Sequence, residues 1–235
     1  MDDNFIAPGV ATSAATSYDA GLRAHMQRVF NYMGGGLALT GILAWVVANT
    51  ALANIIWGSP LRWLVIFAPL AFVLVMQFKM QTISVGALKG LFVAYCATMG
   101  LSLSMVFLAY TEASIARTFF ITAATFGSMS LWGYVTKRDL TGFGSFLMMG
   151  LIGLILASVV NLFLASPGIY WITSILGVGI FTGLTAWNTQ RIKEMYNAGW
   201  GSEANDKLAV FGALQLYMDF INIFMSLLRL MGDRR

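Results

Sequence analysis

The sequence predicts an all-α membrane protein: seven transmembrane helices, six of them wrapped around a central seventh. Three observations carry that expectation. Hydrophobic residues make up 58% of the 235-residue chain and charged residues only 10%, where a soluble domain carries about 25% charged. Mean hydropathy is +0.76, and the apolar residues gather into runs near the roughly 20 residues a spanning helix needs. The last run, residues 208–230, is apolar on every side except for one polar stripe. A rod with that pattern belongs inside a ring of other helices. The alternation of a barrel strand is absent, and an open sheet cannot cross lipid.

The stripe is the most informative feature. Asp219 lies mid-run, where an Asp costs about 2.5–3.5 kcal/mol on insertion scales and should face protein or water rather than lipid. Gln215, Asp219, Asn222 and Ser226 follow at steps of four, three and four, which is one face of a helix.

In chain order the apolar segments are 29–49, 62–78, 87–109, 116–135, 143–164, 169–189 and 208–230. The second carries Pro69, which should kink it or be accommodated by a neighbour. Residues 1–22 are small and polar, with Asp2 and Asp3 where a signal peptide would be basic. They read as a disordered cytoplasmic tail with no cleaved signal, leaving 23–235 as a single membrane domain. Positive charge sets the orientation. With the N-terminus inside, Arg23, Arg28, Lys79, Lys89, Lys137, Arg138, Arg191, Lys193 and Lys207 face the cytoplasm. Arg62, Arg117, Arg229, Arg234 and Arg235 lie outside, a count of nine against five. A re-entrant last segment would move the final three inward, so seven full spans are expected with that alternative open.

Several functions are excluded or made improbable by composition. The lysines and arginines form no basic cluster with interleaved aromatics, so the net charge of +4 does not point to nucleic acid. His25 is the only histidine and precedes the first span, which removes bis-histidine haem, multi-imidazole zinc sites and Ser–His hydrolases. No nucleophile elbow, Walker A loop or dinucleotide fingerprint occurs. The expectation is no enzyme and no cofactor. Cys96 is the single cysteine, so no intrachain disulfide forms. Gly34, Gly35 and Gly36, the pair Gly86 and Gly90, and the pair Gly179 and Gly183 mark places where helices could approach closely. The fourteen methionines are spread through the helices and read as packing.

A second polar feature ends the sixth segment, residues 185–193 (TAWNTQRIK). If the sixth and seventh segments form an antiparallel hairpin turning near Asn205, Asn188 and Asp219 are equidistant from the turn and lie at similar depth. A contact between them has physical logic, because an amide can hydrogen-bond a carboxyl group in either protonation state. Thr185 lies on the same approach. The alternative reading is that Asp219 is a buried acid that only holds helices together.

At these two stretches the chain resembles the Bax inhibitor-1 family, its bacterial branch most closely, over all seven hydrophobic segments. AWNTQRIK at 186–193 is similar to the family's aromatic-Asp-Thr-Gln-x-Ile run, and LQLYMDFINIF at 214–224 to its Leu-Tyr-x-Asp-Phe-Ile-Asn-Leu-Phe run. The resemblance implies helices around a central seventh, a bacterial inner-membrane location, and a pH-sensitive cation leak, chiefly for Ca²⁺. In that leak two aspartates on the last two helices share a proton. Asp219 matches the second aspartate, which makes it the residue for ion or proton sensing and a candidate metal ligand. Asn188 stands in the place of the first. An amide does not titrate and is a weaker ligand for a hard divalent cation, so the family's shared-proton pair is not available in its usual form. A Glu that some members carry in the second helix has no counterpart, and Lys79 is the residue placed to act as a basic latch. Some bacterial relatives are implicated in modulating membrane AAA proteases, so the competing expectation is a scaffold that binds such a complex and moves no ion. The oligomeric state is open.

Overall fold

The structure, a computed structural model, describes residues 8–235. Among them eight helices follow in order: α1 (Pro8–Ala48), α2 (Leu52–Trp57), α3 (Leu61–Lys79), α4 (Val85–Ala109), α5 (Glu112–Val135), α6 (Thr141–Leu164), α7 (Pro167–Met195) and α8 (Ser202–Met231). The seven long ones correspond to the seven expected segments. The short α2 caps the link between the first two and was not anticipated.

α8 is the central helix. α1, α4, α5 and α7 pack directly on it, while α3 is held mainly by α4 and α6 by α7. Leu214, Leu216, Tyr217, Ile223 and Leu228 of α8 are wholly buried. The Tyr217 hydroxyl finds its partner in Thr40 Oγ1 at 2.7 Å, and that hydroxyl also donates to the Cys96 carbonyl at 2.8 Å, tying α1, α4 and α8 together. Six of the long helices are long and apolar enough to cross a membrane. The remaining one, α5, is of similar length but turns Ser114, Thr118, Thr122 and Ser130 inward, which lowers its hydropathy while its outer face stays apolar.

Local chemistry sets the breaks. Ser84 and Thr111 cap α4 and α5 by accepting from the Ala87 and Ser114 amides, as N-cap hydroxyls do. α6 ends where Ala165 adopts a left-handed φ of 47° and the Asn161 side chain accepts from the Ser166 amide. Pro167 then opens α7, where its missing N–H is no loss. Inside α3, Pro69 cannot donate to the Val65 carbonyl four residues back. Ser102 of α4 donates to that carbonyl instead, at 2.5 Å. The neighbour expected to accommodate Pro69 is therefore α4.

Three expectations are revised. The tail expected to be disordered through residue 22 is helical from Pro8, and Leu22 is buried in the core. Residues 1–7 lie outside the described residues. The re-entrant alternative for the last segment does not hold, because α8 runs the length of the bundle. Its C-terminal residues pair with the α4–α5 connection, through Thr111 to Asp233, Arg235 to Ala109 and a bridge between Tyr110 and Arg234. The third revision concerns glycine. A Cβ at Gly86, Gly90, Gly179, Gly34 or Gly35 would meet nothing within 4 Å, whereas Gly183 and Gly36 are tightly covered. A tight helix approach is found elsewhere, at Gly133 of α5 against the Ala186 backbone of α7.

Candidate functional site

Asn188 and Asp219 meet. α7 and α8 form the antiparallel hairpin, and the Asn188 Nδ2 donates to Asp219 Oδ2 at 2.7 Å. Asp219 is 4% exposed and Asn188 8%. Both line a cavity of about 400 Å³ bounded by α6, α7, α8 and the end of α3, where Gln77 enters. Gln215 and Asn222 lie on the same wall. Gln215 Oε1 is buried with no hydrogen-bond partner among the described residues. Asn222 Nδ2 is engaged by the Met218 carbonyl at 2.8 Å. A second cavity, about 320 Å³, continues along α8 past Asn222 and Ser226 to Arg229. Leu151, Ile155, Phe181 and Asn222 line both, so the polar face of α8 borders a nearly continuous groove with an apolar waist.

The groove lies where the ring of helices is thinnest, since α3 and α6 pack on α4 and α7 rather than chiefly on α8. A larger cavity of about 580 Å³ between α6 and α7 is lined almost wholly by apolar side chains and carries no comparable chemistry.

The remaining expected residues divide. Ser226 is buried beneath Gly177, whose missing side chain makes room for its hydroxyl. Thr185 is buried, but its hydroxyl donates to the Phe181 carbonyl at 2.8 Å and serves the α7 backbone rather than Asp219. Lys79 is exposed at the end of α3 and does not line the cavity. The basic residue that does is Arg191, whose guanidinium lies 5.4 Å from the Trp187 ring centroid. Sequence reasoning missed Arg191, although its position one turn beyond Asn188 places it on the same helix face.

Both motifs now have a physical account. In the first, Gln190 clamps the α5–α6 connection by accepting from the Leu140 amide (2.9 Å) and donating to the Arg138 carbonyl (2.8 Å). Ile192 fills the space left by Gly212, and Lys193 donates to the Tyr134 carbonyl near the end of α5 at 2.9 Å. In the second, Phe220 packs against Phe119 and Phe126 of α5, each ring 5.6 Å away. Among the described residues Asp219 is the one carboxylate that lines the cavity.

Among the described residues no group of three or more His, Cys, Asp or Glu side chains could hold a metal ion. Asp219 would offer one charged oxygen donor, with neutral amide oxygens from Gln215, Asn222 and Asn188 close by, a set better suited to a passing cation than a resident one.

Comparison with known proteins agrees with this construction. Residues 22–235 match the family described as "Inhibitor of apoptosis-promoting Bax1". The inner membrane protein YbhL of Escherichia coli (strain K12) is 46% identical over 92% of this chain and 94% of its own length. The uncharacterized protein RP147 of Rickettsia prowazekii is 44% identical over 95% of both. The uncharacterized protein YrjE of Lactococcus lactis is 38% identical over 90% of this chain and 92% of its own length. With the family's two motifs joined at one hydrogen bond and its profile matched over nearly the whole chain, this protein belongs to the Bax inhibitor-1 family of multi-pass membrane proteins.

Proposed function

We propose that the protein is a cation leak, with calcium as the principal cargo, whose path follows the polar face of α8 and is controlled at Asp219. It acts as a conduit rather than an enzyme, needs no cofactor, and lies in the bacterial inner membrane with its N-terminus in the cytoplasm. YbhL's name supports the location, and the positive-charge count supports the orientation. One observation carries the reading: an ionisable side chain near the middle of the central helix, though only 4% exposed, lines a cavity whose α8 wall is polar. Intramembrane acids placed this way mark ion pathways.

The closed arrangement follows from the contacts. Asn188 holds Asp219 Oδ2 with an N–H, and Phe181 with Leu151 and Ile155 forms the apolar waist beyond it. Apolar constrictions gate by excluding water. A cation that displaces the amide N–H gains the carboxylate, and rotation of the Asn188 amide presents its carbonyl oxygen as a further ligand. Proton concentration enters because a proton and a cation compete for the same carboxylate.

The test is calcium entry into proteoliposomes across the physiological pH range. Asp219→Asn is expected to lower entry by about tenfold or more, as loss of ~1.4 kcal/mol of attraction in the rate-limiting step requires, and to remove its pH dependence. Equal entry in variant and wild type would end this reading. The scaffold reading, with a membrane AAA protease as partner, draws on one feature, the amide at position 188 where the family has a second acid. It requires co-purification of a protease and a partner-dependent phenotype that survives Asp219→Asn.

A further inference from the structure

We propose that Arg229 is an electrostatic barrier at one mouth of the groove and sets which cations pass. This rests on the leak reading above. The stripe on α8 does not stop at Ser226: Arg229 follows three residues later on the same face. Its side chain lines the second cavity together with Asn222, Ser226, Ser158 and Thr173. Ten residues separate it from Asp219, about 15 Å along the helix axis. A cation entering from this end meets a fixed positive charge before it meets the carboxylate.

The surroundings leave that charge uncompensated. The Arg229 guanidinium rests 5.7 Å from the Tyr170 ring centroid, and Arg234 occupies the same ring at 5.8 Å while donating to the Tyr170 hydroxyl at 3.2 Å. Two positive groups therefore share one aromatic at the mouth. The acidic residues of this end have other partners: Asp233 takes Arg117 at 3.4 Å and Ser114 at 2.9 Å, and Glu112 takes Arg235 at 3.7 Å. Among the described residues no carboxylate pairs with Arg229.

Such a charge acts through the logarithm of the entry rate in proportion to the charge of the passing ion. Removing it is expected to raise K⁺ entry about threefold, from a unit charge several ångströms away in a partly hydrated mouth. For Ca²⁺ the factor is the square, about tenfold. The wild-type barrier therefore slows calcium, the proposed cargo, more than it slows a monovalent ion, which keeps the conduit a slow leak, and it weakens as salt screens it.

The experiment measures K⁺ and Ca²⁺ entry into proteoliposomes holding the full chain, for wild type, Arg229→Lys, Arg229→Gln, Arg229→Glu and Asp219→Asn, at low and high ionic strength. The expected order of Ca²⁺ entry is Glu above Gln, Gln above Lys, and Lys close to wild type, with the spread narrowing at high salt and smaller for K⁺ throughout. A purely structural role for Arg229 would instead alter both ions equally and independently of salt. If Asp219→Asn stops entry while Arg229→Gln and Arg229→Glu match wild type for both ions, the barrier is overturned and the path stands. If Asp219→Asn leaves entry unchanged, the path falls and the barrier with it.

Discussion

Gly133→Leu is expected to give no folded protein, and Gly133→Ala to lower the melting temperature of the solubilised protein, while Gly127→Ala on the same helix does neither. At Gly133 a Cβ would overlap the carbonyl and Cα of Ala186, so α5 and α7 could not keep their separation. Those atoms are backbone and cannot swing aside. Overpacking of this kind costs about 1–3 kcal/mol for a small group, and each kcal/mol corresponds to roughly 2–4 °C in a chain of this size. At Gly127 an added Cβ meets nothing within 4 Å, and alanine is the better helix former by about 1 kcal/mol. The pair therefore separates close packing from helix propensity. Moving α7 at Ala186 also moves Asn188, two residues on, so Gly133→Ala should weaken the contact with Asp219 as well. Fluorescence-detected size exclusion with a thermal ramp on all three variants checks this. Equal behaviour of Gly127→Ala and Gly133→Ala would contradict the placement of α5 on α7.

Asn188→Asp is expected to make stability depend on protons and calcium far more than in wild type. The amide nitrogen and Asp219 Oδ2 are 2.7 Å apart. Two carboxyl groups at that distance are compatible only if they share a proton or a cation. The sign follows: acidification supplies the proton and raises the melting temperature, alkaline conditions remove it and lower the melting temperature, and added calcium restores part of the loss. Melting curves over a pH series, with calcium and with a chelator, measure it. In proteoliposomes the same substitution should steepen the pH dependence of calcium entry. A variant whose melting temperature follows wild type at every pH and calcium level would show that the two side chains do not face each other.

The fold and the site's centre were readable for the same reason: both rest on periodicity. Asp219 in an apolar run had to face inward, and a hairpin between the last two segments brought Asn188 to it. The turn itself comes earlier than expected, since α7 ends at Met195 and α8 starts at Ser202. Asn205 lies in the first turn of α8, its amide donating to the Asn197, Trp200 and Gly201 carbonyls of the link. What periodicity along one helix could not give was contact between helices far apart in the chain. Lys79 was assigned by its place at a helix end, yet the wall of the cavity is completed by Gln77 and Arg191. Glycine spacing suggested close approach at Gly86 and Gly90, where the space is open. The decisive glycine, Gly133, has no partner four residues away in either direction. The helical start of α1 at Pro8 was hidden by small residues that also suit a solvated tail. There Arg28 and Asp206 form the ion pair that ties α1 to the start of α8.

Whether water reaches the polar face of α8 decides between a conduit and a sealed core. In a Cys96→Ala background, single cysteines at positions 222 and 226 are treated with a membrane-impermeant cationic thiol reagent, alongside a cysteine at position 156 on α6. Leu156 is 61% exposed on the molecule's surface but faces the lipid, while Ser226 is only 7% exposed and borders the groove. Cysteines at 222 and 226 are expected to react and the one at 156 is not, since a thiol in hydrocarbon neither ionises nor meets the reagent. Cysteines at 222 and 226 as inert as the one at 156 would contradict a water-lined path past Asp219.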